Sequence, residues 1–221
     1  MKAKDRWEKI YREKDPTADV SWHQAHPANS LRLIAAAGLA KDQAIIDVGG
    51  GASVLAGCLL DAGFQVVAVL DISATALAHA RHRLGPRAQA VSWIEADVTT
   101  FDPPRPFHLW HDRAVFHFLT DAGAHRDYLR TLKRAVVPGG HVIMATFATD
   151  GPSQCSGLEV VRYDAGSLGA ELGAEFRLVE QCRERHVTPW QTEQRFAWFR
   201  FQRNAAPAAR PHADAPGHAR L

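Results

Sequence analysis

Residues 44–53 read AIIDVGGGAS and residues 65–73 read QVVAVLDIS. Ala44–Val48 and Gln65–Leu70 are short, almost continuously apolar runs, as strands buried on both faces must be. The first opens into Gly49-Gly50-Gly51 and the second stops at Asp71. Working outward, strand-like and helix-like stretches continue to alternate. A helix through Leu55, Cys58 and Leu59 ends at Gly63, and another from Ser73 to Leu84 is stopped by Gly85-Pro86. Strand Ala90–Ile94 leads to Asp97, and strand Phe107–His111 leads to Asp112. A helix through Tyr128, Leu129, Leu132 and Val136 is expected to end at Pro138-Gly139-Gly140, before strand His141–Phe147. This spacing builds βαβ units and a parallel α/β sheet.

Beyond a loop (148–163) and a helix (164–173), the runs Phe176–Cys182 and Gln194–Phe201 have nothing helical between them and read as a hairpin on the sheet edge. Upstream, residues 5–15 form an amphipathic helix with Trp7, Ile10 and Tyr11 on one side. A polar loop with Trp22, His23 and His26 follows, then a helix from Pro27 that buries Leu31, Ile34 and Ala35 and stops at Gly38. The expected organisation is an N-terminal helical cap and lid (1–43), a core (44–203) and an Ala/Pro-rich disordered tail (204–221).

Composition narrows the function classes. With 221 residues, 46% of them hydrophobic, the chain fits one globular domain that needs no staple. Cys58, Cys155 and Cys182 are odd in number and lack CxxC spacing, so neither a disulfide framework nor a metal site is expected. A formal charge of +2 with no Lys/Arg cluster argues against a nucleic-acid partner. No run approaches the roughly 20 apolar residues that cross a bilayer, and the charged start MKAKDRWEKIYREKD is unlike a secretory signal, so a cytoplasmic protein without a membrane partner is expected.

In open α/β sheets ligands bind at the carboxyl ends of the strands, beside the point where strand order reverses. Asp47 to Gly51, Asp71, Asp97 and Asp112 should stand there. Gly49 and Gly51 let backbone approach a ligand, and the helix that follows aims N–H groups at it. Asp71, 20 residues past Gly51, can accept both hydroxyls of a ribose, as in sites for NAD and for S-adenosylmethionine. Two details separate these cofactors. GGGAS lacks the third glycine of GxGxxG, and the Asp47 carboxylate would repel a pyrophosphate but suits an amino-acid moiety. A NAD-binding oxidoreductase is therefore disfavoured, and Asp97 falls where it could take an adenine amine.

The motifs IIDVGGGAS, VVAVLDIS, IEADVTTF and the PGGH before the fifth strand resemble the sequential motifs of class I S-adenosylmethionine-dependent methyltransferases, closely over 44–147 and in outline elsewhere. The resemblance implies a Rossmann-like, mostly parallel seven-stranded sheet with helices on both faces and a late antiparallel strand. It implies S-adenosylmethionine as cofactor, with Asp47, Gly49 and Gly51 around its methionine part, Asp71 and Ile72 at ribose and adenine, and Asp97 and Val98 at the adenine ring. Gly50 departs from the commoner cysteine or serine. The stretch LWHDRAVFHFLTD is similar to the fourth motif of thiopurine-methyltransferase-like enzymes (DRG) and of elongation-factor lysine methyltransferases (DKG), two groups with different acceptors.

Methyl transfer is an in-line displacement that needs the nucleophile aligned within about 3–3.5 Å and little covalent help. Asp112 and His117, after the fourth strand, are the expected proton acceptors or orienting groups, with His23 of the SWHQAHP lid as another base. Trp22 is expected to close over the sulfonium by cation–π contact, and His111 to stand at the cofactor. Arg113, with Arg162 and Tyr163 of GPSQCSGLEVVRY, is expected at the acceptor. The leading expectation is a methyltransferase acting on sulfur, nitrogen or oxygen of a small molecule. A protein lysine methyltransferase, which would need an acidic or aromatic channel, is the alternative.

Overall fold

The computed structural model describes residues 3–205. Helix α1 (Ala3–Glu13) and helix α2 (Ala28–Ala36) precede the sheet. The alternating series is then β1 (Ile45–Val48), α3 (Leu55–Asp61), β2 (Val67–Asp71), α4 (Ala74–Leu84), β3 (Val91–Glu95), β4 (Phe107–Arg113), α5 (Ala122–Ala135) and β5 (Val136–Phe147). A small hairpin, β6 (Gln154–Cys155) and β7 (Leu158–Glu159), helix α6 (Ala165–Leu172) and the strands β8 (Phe176–Val187) and β9 (Glu193–Arg203) complete it. The tail expected from Asn204 onward lies, beyond Ala205, outside the described residues.

Seven strands run in the order β3-β2-β1-β4-β5-β9-β8. Neighbours from β3 to β5 are parallel, and β9 is antiparallel to both β5 and β8. This is the expected mostly parallel α/β sheet with its late antiparallel strand. The order turns around between β1 and β4, whose register sets Asp47 beside His111 and Val48 beside Asp112. Ligands of doubly wound sheets bind above such a reversal.

The period of two along a strand divides the core. Ile46, Val48 and Trp110 face one layer, where Tyr128 and Leu132 of α5 and Leu168 and Leu172 of α6 cover them. Ile45 and Leu109 face the other, against Leu33 and Ile34 of α2 and Leu55 and Leu59 of α3. Continuing that alternation, Asp112 belongs to the α5 face, whereas His111 and Arg113 belong to the face that α2 covers.

Three stretches differ from the sequence reading. Helix α5 ends at Ala135, and Pro138-Gly139-Gly140 lie inside β5, where the register against β4 jumps from Phe107↔Val136 to Leu109↔His141. The proline and glycines thus mark a bulge, because a turn pattern inside a strand also satisfies their backbone preferences. Residues 148–163, read as a loop, contain the β6–β7 hairpin, too short for periodicity to register. Strand β8 runs five residues past its expected end and β9 two, since only one face of the edge strand β8 is apolar and charged residues fill the other. Among the described residues, no helix is long and apolar enough to cross a membrane.

Candidate active site

The carboxyl ends of β1, β2 and β4 open into two adjoining cavities. The larger, about 470 Å³, is lined on one side by Val48, Gly49, Leu70, Asp71, Ile72, Asp97 and Val98. On the other side stand Trp7, Trp22, Arg113, Phe118, Cys155, Leu158, Gln194 and Phe196. The smaller, about 60 Å³, is bounded by His23, Ser30, Asp47, Gly49, Gly50, Ser53 and His111. Tyr11, Trp22, Val48, Gly49 and Arg113 border both.

The glycine turn has this form for steric reasons. Gly49 sits at φ +65°, which L side chains rarely adopt, and a Cβ there would overlap Val115. A Cβ on Gly51 would lie 2.5 Å from Asp71 Oδ2 and 2.9 Å from Ala76 Cβ, so its absence lets the turn press against the end of β2.

Asp71 is buried at the tip of β2 and accepts the Ser73 N–H at 2.8 Å, while Ser73 itself caps α4 by accepting Ala76 N–H at 3.1 Å. Burial pushes its carboxyl up to about 7, against hydrogen bonds from the Ser73 and Gly51 backbone that favour the charge. Asp97 is exposed and accepts the N–H and Oγ1–H of its own Thr99, at 2.9 and 2.7 Å, which fixes the turn after β3. Val98 behind it is buried.

Helix α1 roofs the larger cavity. Glu8 accepts the Thr75 hydroxyl at 2.5 Å at the start of α4, and Arg6 donates to the Ser156 carbonyl at 2.5 Å in the β6–β7 turn. Beneath it Trp7 meets Trp22 and Phe118 edge-on, at 5.7 and 5.2 Å between ring centres, and Trp22 meets Tyr11 at 6.1 Å. The Trp22 carbonyl accepts Arg113 Nη1–H at 2.9 Å, so β4 holds the lid loop directly.

Arg113 stands among these aromatics, with Arg6 of α1 also on the cavity wall. The Arg113 guanidinium lies 4.8 Å from the centre of the Phe196 ring, and its Nε and Nη2 have no hydrogen-bond partner. Burial lowers its pKa to about 10, opposed by the more distant charge of Glu184. Gln194 Oε1, also on the cavity wall, lacks a partner too.

The structure brings Asp47, Gly49, Asp71, Ile72, Asp97, Val98, Trp22, His23, His111 and Arg113 of the sequence-predicted set to the two cavities, with Gly51 packed behind the turn against Asp71 and Ala76. It places four others elsewhere. Asp112 points to the α5 face by strand alternation, where Val115 N–H, Phe116 N–H and the Tyr128 hydroxyl, at 2.5 Å, donate to it. Burial still holds its carboxyl up, at about 6. His117 is wholly buried, its Nδ1 accepting Phe147 N–H at 3.4 Å, and burial followed by the Arg113 charge drives its pKa down to about 3. Arg162 is exposed and donates to the Gly151 carbonyl, and Tyr163 packs in the core against Phe116. Reach along the sequence put these four near β4 and β5, but side-chain direction carries them off the cavity. His23 borders the smaller cavity, apart from the aromatic end of the larger one, and burial followed by the Arg83 charge lowers its pKa.

Sequence reasoning missed Tyr11, Ser30, Phe118, Gln194 and Phe196 as wall residues. Tyr11 belongs to an apolar helix stripe, and a strand near the C-terminus is assigned to the site only by the sheet order.

Residues 45–140 match the model of a methyltransferase domain. No curated protein matches by sequence. Several solved structures share the fold. One, from work on conversion of a disulfide bond into a thioacetal group during echinomycin biosynthesis, is 19% identical and superposes with a TM-score of 0.74 over 94% of each chain. The N-methyltransferase NodS of Bradyrhizobium japonicum WM9, in complex with S-adenosyl-L-homocysteine, is 17% identical, with a TM-score of 0.67 over 89% of this chain and 97% of its own. The 1,6-didemethyltoxoflavin-N1-methyltransferase of Burkholderia thailandensis is 19% identical, with a TM-score of 0.69 over 91% of this chain and 87% of its own. Residues 45–140 thus match a methyltransferase domain, and the strand order, with the two cavities at the carboxyl ends of its strands, belongs to the fold that these methyltransferase structures share.

Proposed function

We propose that the chain transfers the methyl group of S-adenosylmethionine to a nucleophilic sulfur, nitrogen or oxygen atom of a small molecule. The larger cavity carries this reading, because its two ends differ in chemistry. One is a nucleoside seat made by Asp71, Ile72 and Val98; the other is an aromatic chamber with the Arg113 guanidinium buried in its wall. Its volume of about 470 Å³ lies within the range of roughly 300–1,000 Å³ usual for small-molecule sites. The structural relatives named as N-methyltransferases are compatible with a small acceptor.

The residues present fit this cofactor. Asp71 is a buried acceptor with room for the donors of a ribose, and Asp47 Oδ2 lacks a partner beside the smaller cavity. Ile72 and Val98 would hold the adenine, and the Gly49–Gly51 turn the methionine part. The bound sulfonium supplies an activated methyl group. The chain supplies the rest: Trp22 and Trp7 exclude water, Trp22 offers a ring face to positive charge, and the shared wall aligns the acceptor with the seat. Arg113 would pair with an anionic group on the acceptor, which also stabilises a nucleophile that arrives deprotonated. Asp112 faces the α5 layer and His117 is buried against Phe147 off the cavity wall, so neither is assigned a proton path.

The alternative, a protein lysine methyltransferase, would need an acidic or aromatic channel. The chamber is aromatic, but its charge is the wrong sign for a lysine ammonium. The two readings separate on incubation with methyl-labelled S-adenosylmethionine and a cell extract. Label in the low-mass fraction is expected; label in a discrete protein band would overturn the small-molecule reading.

A further inference from the structure

The Asp47 carboxylate is held in an arrangement that begins outside the sheet. Its Oδ1 lies 2.7 Å from His111 Nδ1, its neighbour in the β1–β4 register. The opposite ring nitrogen, His111 Nε2, lies 3.0 Å from Ser30 Oγ in the first turn of α2. All three side chains are buried: Ser30 is 1% exposed, His111 2% and Asp47 3%. All three also border the smaller cavity, where Asp47 Oδ2 has no hydrogen-bond partner. A carboxylate only accepts, so the ring nitrogen facing Oδ1 carries a hydrogen. The second nitrogen is then left to the Ser30 hydroxyl, which fixes the ring in its plane.

Gly50 belongs to the same device. A Cβ on it would stand 2.4 Å from Asp47 Oδ2 and 2.9 Å from Val69 Cγ1. The cysteine or serine commoner at this position of the motif would therefore displace the carboxylate from the pose that meets His111. Glycine at 50, histidine at 111 and serine at 30 each serve one orientation of Asp47.

We propose that Ser30 is a positioning residue for the cofactor: acting through His111, it holds Asp47 so that the free Oδ2 receives the ammonium of the cofactor's amino-acid end. This rests on the reading of the two cavities as an S-adenosylmethionine site. The chain of contacts ties the seating of α2, and with it the lid loop just before, to the grip on the amino-acid end. A buried carboxylate oxygen without a partner is unfavourable, and an ammonium at that point supplies both the counter-charge and the hydrogen bond. An unsupported imidazole would leave Asp47 free to turn, and the seat would lose its direction rather than its charge.

The test compares two ligands by titration calorimetry. S-adenosylhomocysteine carries the amino-acid end, and 5′-methylthioadenosine lacks it but keeps the nucleoside and the sulfur. Ser30→Ala is expected to weaken S-adenosylhomocysteine about tenfold and to change 5′-methylthioadenosine by less than about twofold, in line with loss of one buried hydrogen bond. His111→Asn should repeat the selective loss, and Ser30→Thr, which keeps the hydroxyl, should restore most of it. Equal weakening of both ligands would mean that Ser30 merely supports the fold, and would overturn the proposal. Unchanged affinity for both would overturn it as well. Wild-type protein that binds neither ligand would instead refute the cofactor assignment itself, and the positioning role with it.

Discussion

Asp71→Asn tests the nucleoside seat most directly, because the structure gives the substitution a magnitude and a pH signature. The carboxyl is 6% exposed, and burial lifts it to about 7, with the charges of Asp47 and Glu8 adding to the effect. A ribose presents two hydroxyl donors, and only the ionised carboxylate accepts both while keeping the Ser73 N–H. Ligand binding therefore selects the ionised form. As pH falls below about 7, the protonated fraction grows, and the limiting loss is tenfold in affinity, or about 1.4 kcal/mol, per pH unit. At pH 5.5 the Kd for S-adenosylhomocysteine should be about thirtyfold above its value at pH 8, with close to one proton released per ligand bound. Asp71→Asn keeps the size but loses the charge. Two charge-assisted hydrogen bonds become ordinary ones, which weakens the plateau about 10- to 100-fold. The pH dependence should flatten at the same time. Calorimetry in two buffers of different ionisation enthalpy measures affinity and proton release together. A wild-type Kd independent of pH, or an equal slope in Asp71→Asn, would refute the placement of the ribose at Asp71.

Two further outcomes follow from buried groups. Arg113→Leu removes a buried cation whose Nε and Nη2 are unpartnered, so thermal stability should hold or rise by about 1–2 kcal/mol while turnover of the acceptor falls at least tenfold; a clear loss of stability in calorimetric scans would show that Arg113 is a structural pin for Trp22. His117→Met concerns acid sensitivity: the folded-state pKa is driven down to about 3, so the stability from the neutral ring is fully present above the unfolded value near 6.5 and is lost as pH falls below it. Between pH 8 and pH 5 the wild type should therefore lose about 2 kcal/mol relative to the variant in denaturant titrations, and parallel losses in both would count against the assignment.

The sequence makes the sheet legible because burial on both faces leaves little choice of residue. Ile45, Ile46, Val67 and Val69 must be apolar, and the carboxylates that follow stand out against them. The proposed nucleoside half of the site is legible for the same reason, since the turn packs so closely on Asp71 that a Cβ on Gly51 would come within 2.5 Å of its Oδ2, a constraint that the sequence spacing reflects. The acceptor half is not. Phe196 and Gln194 reach the cavity from β9, which lies beside β5 only because the last two strands add in reverse order. No local pattern carries that information.

The misplacement of Asp112 is more instructive, because the alternation that excludes it was available. His111, Asp112 and Arg113 are consecutive at the end of a strand, so they cannot all face one ligand. Either the acid or the two bases had to point at the cofactor, and the face of Trp110 decides. Trp110 is wholly buried, donates from its indole N–H to the Tyr128 hydroxyl at 2.9 Å, and that hydroxyl donates in turn to Asp112. A tryptophan two residues before a carboxylate, matched to a helix tyrosine, assigns both to the layer behind the sheet. The opposite face then carries His111 to the smaller cavity and Arg113 to the wall that both cavities share. The proposed pairing of Arg113 with an anionic group on the acceptor therefore rests on the face that Arg113 shares with His111, and Asp112, turned to the α5 layer, has no part in it.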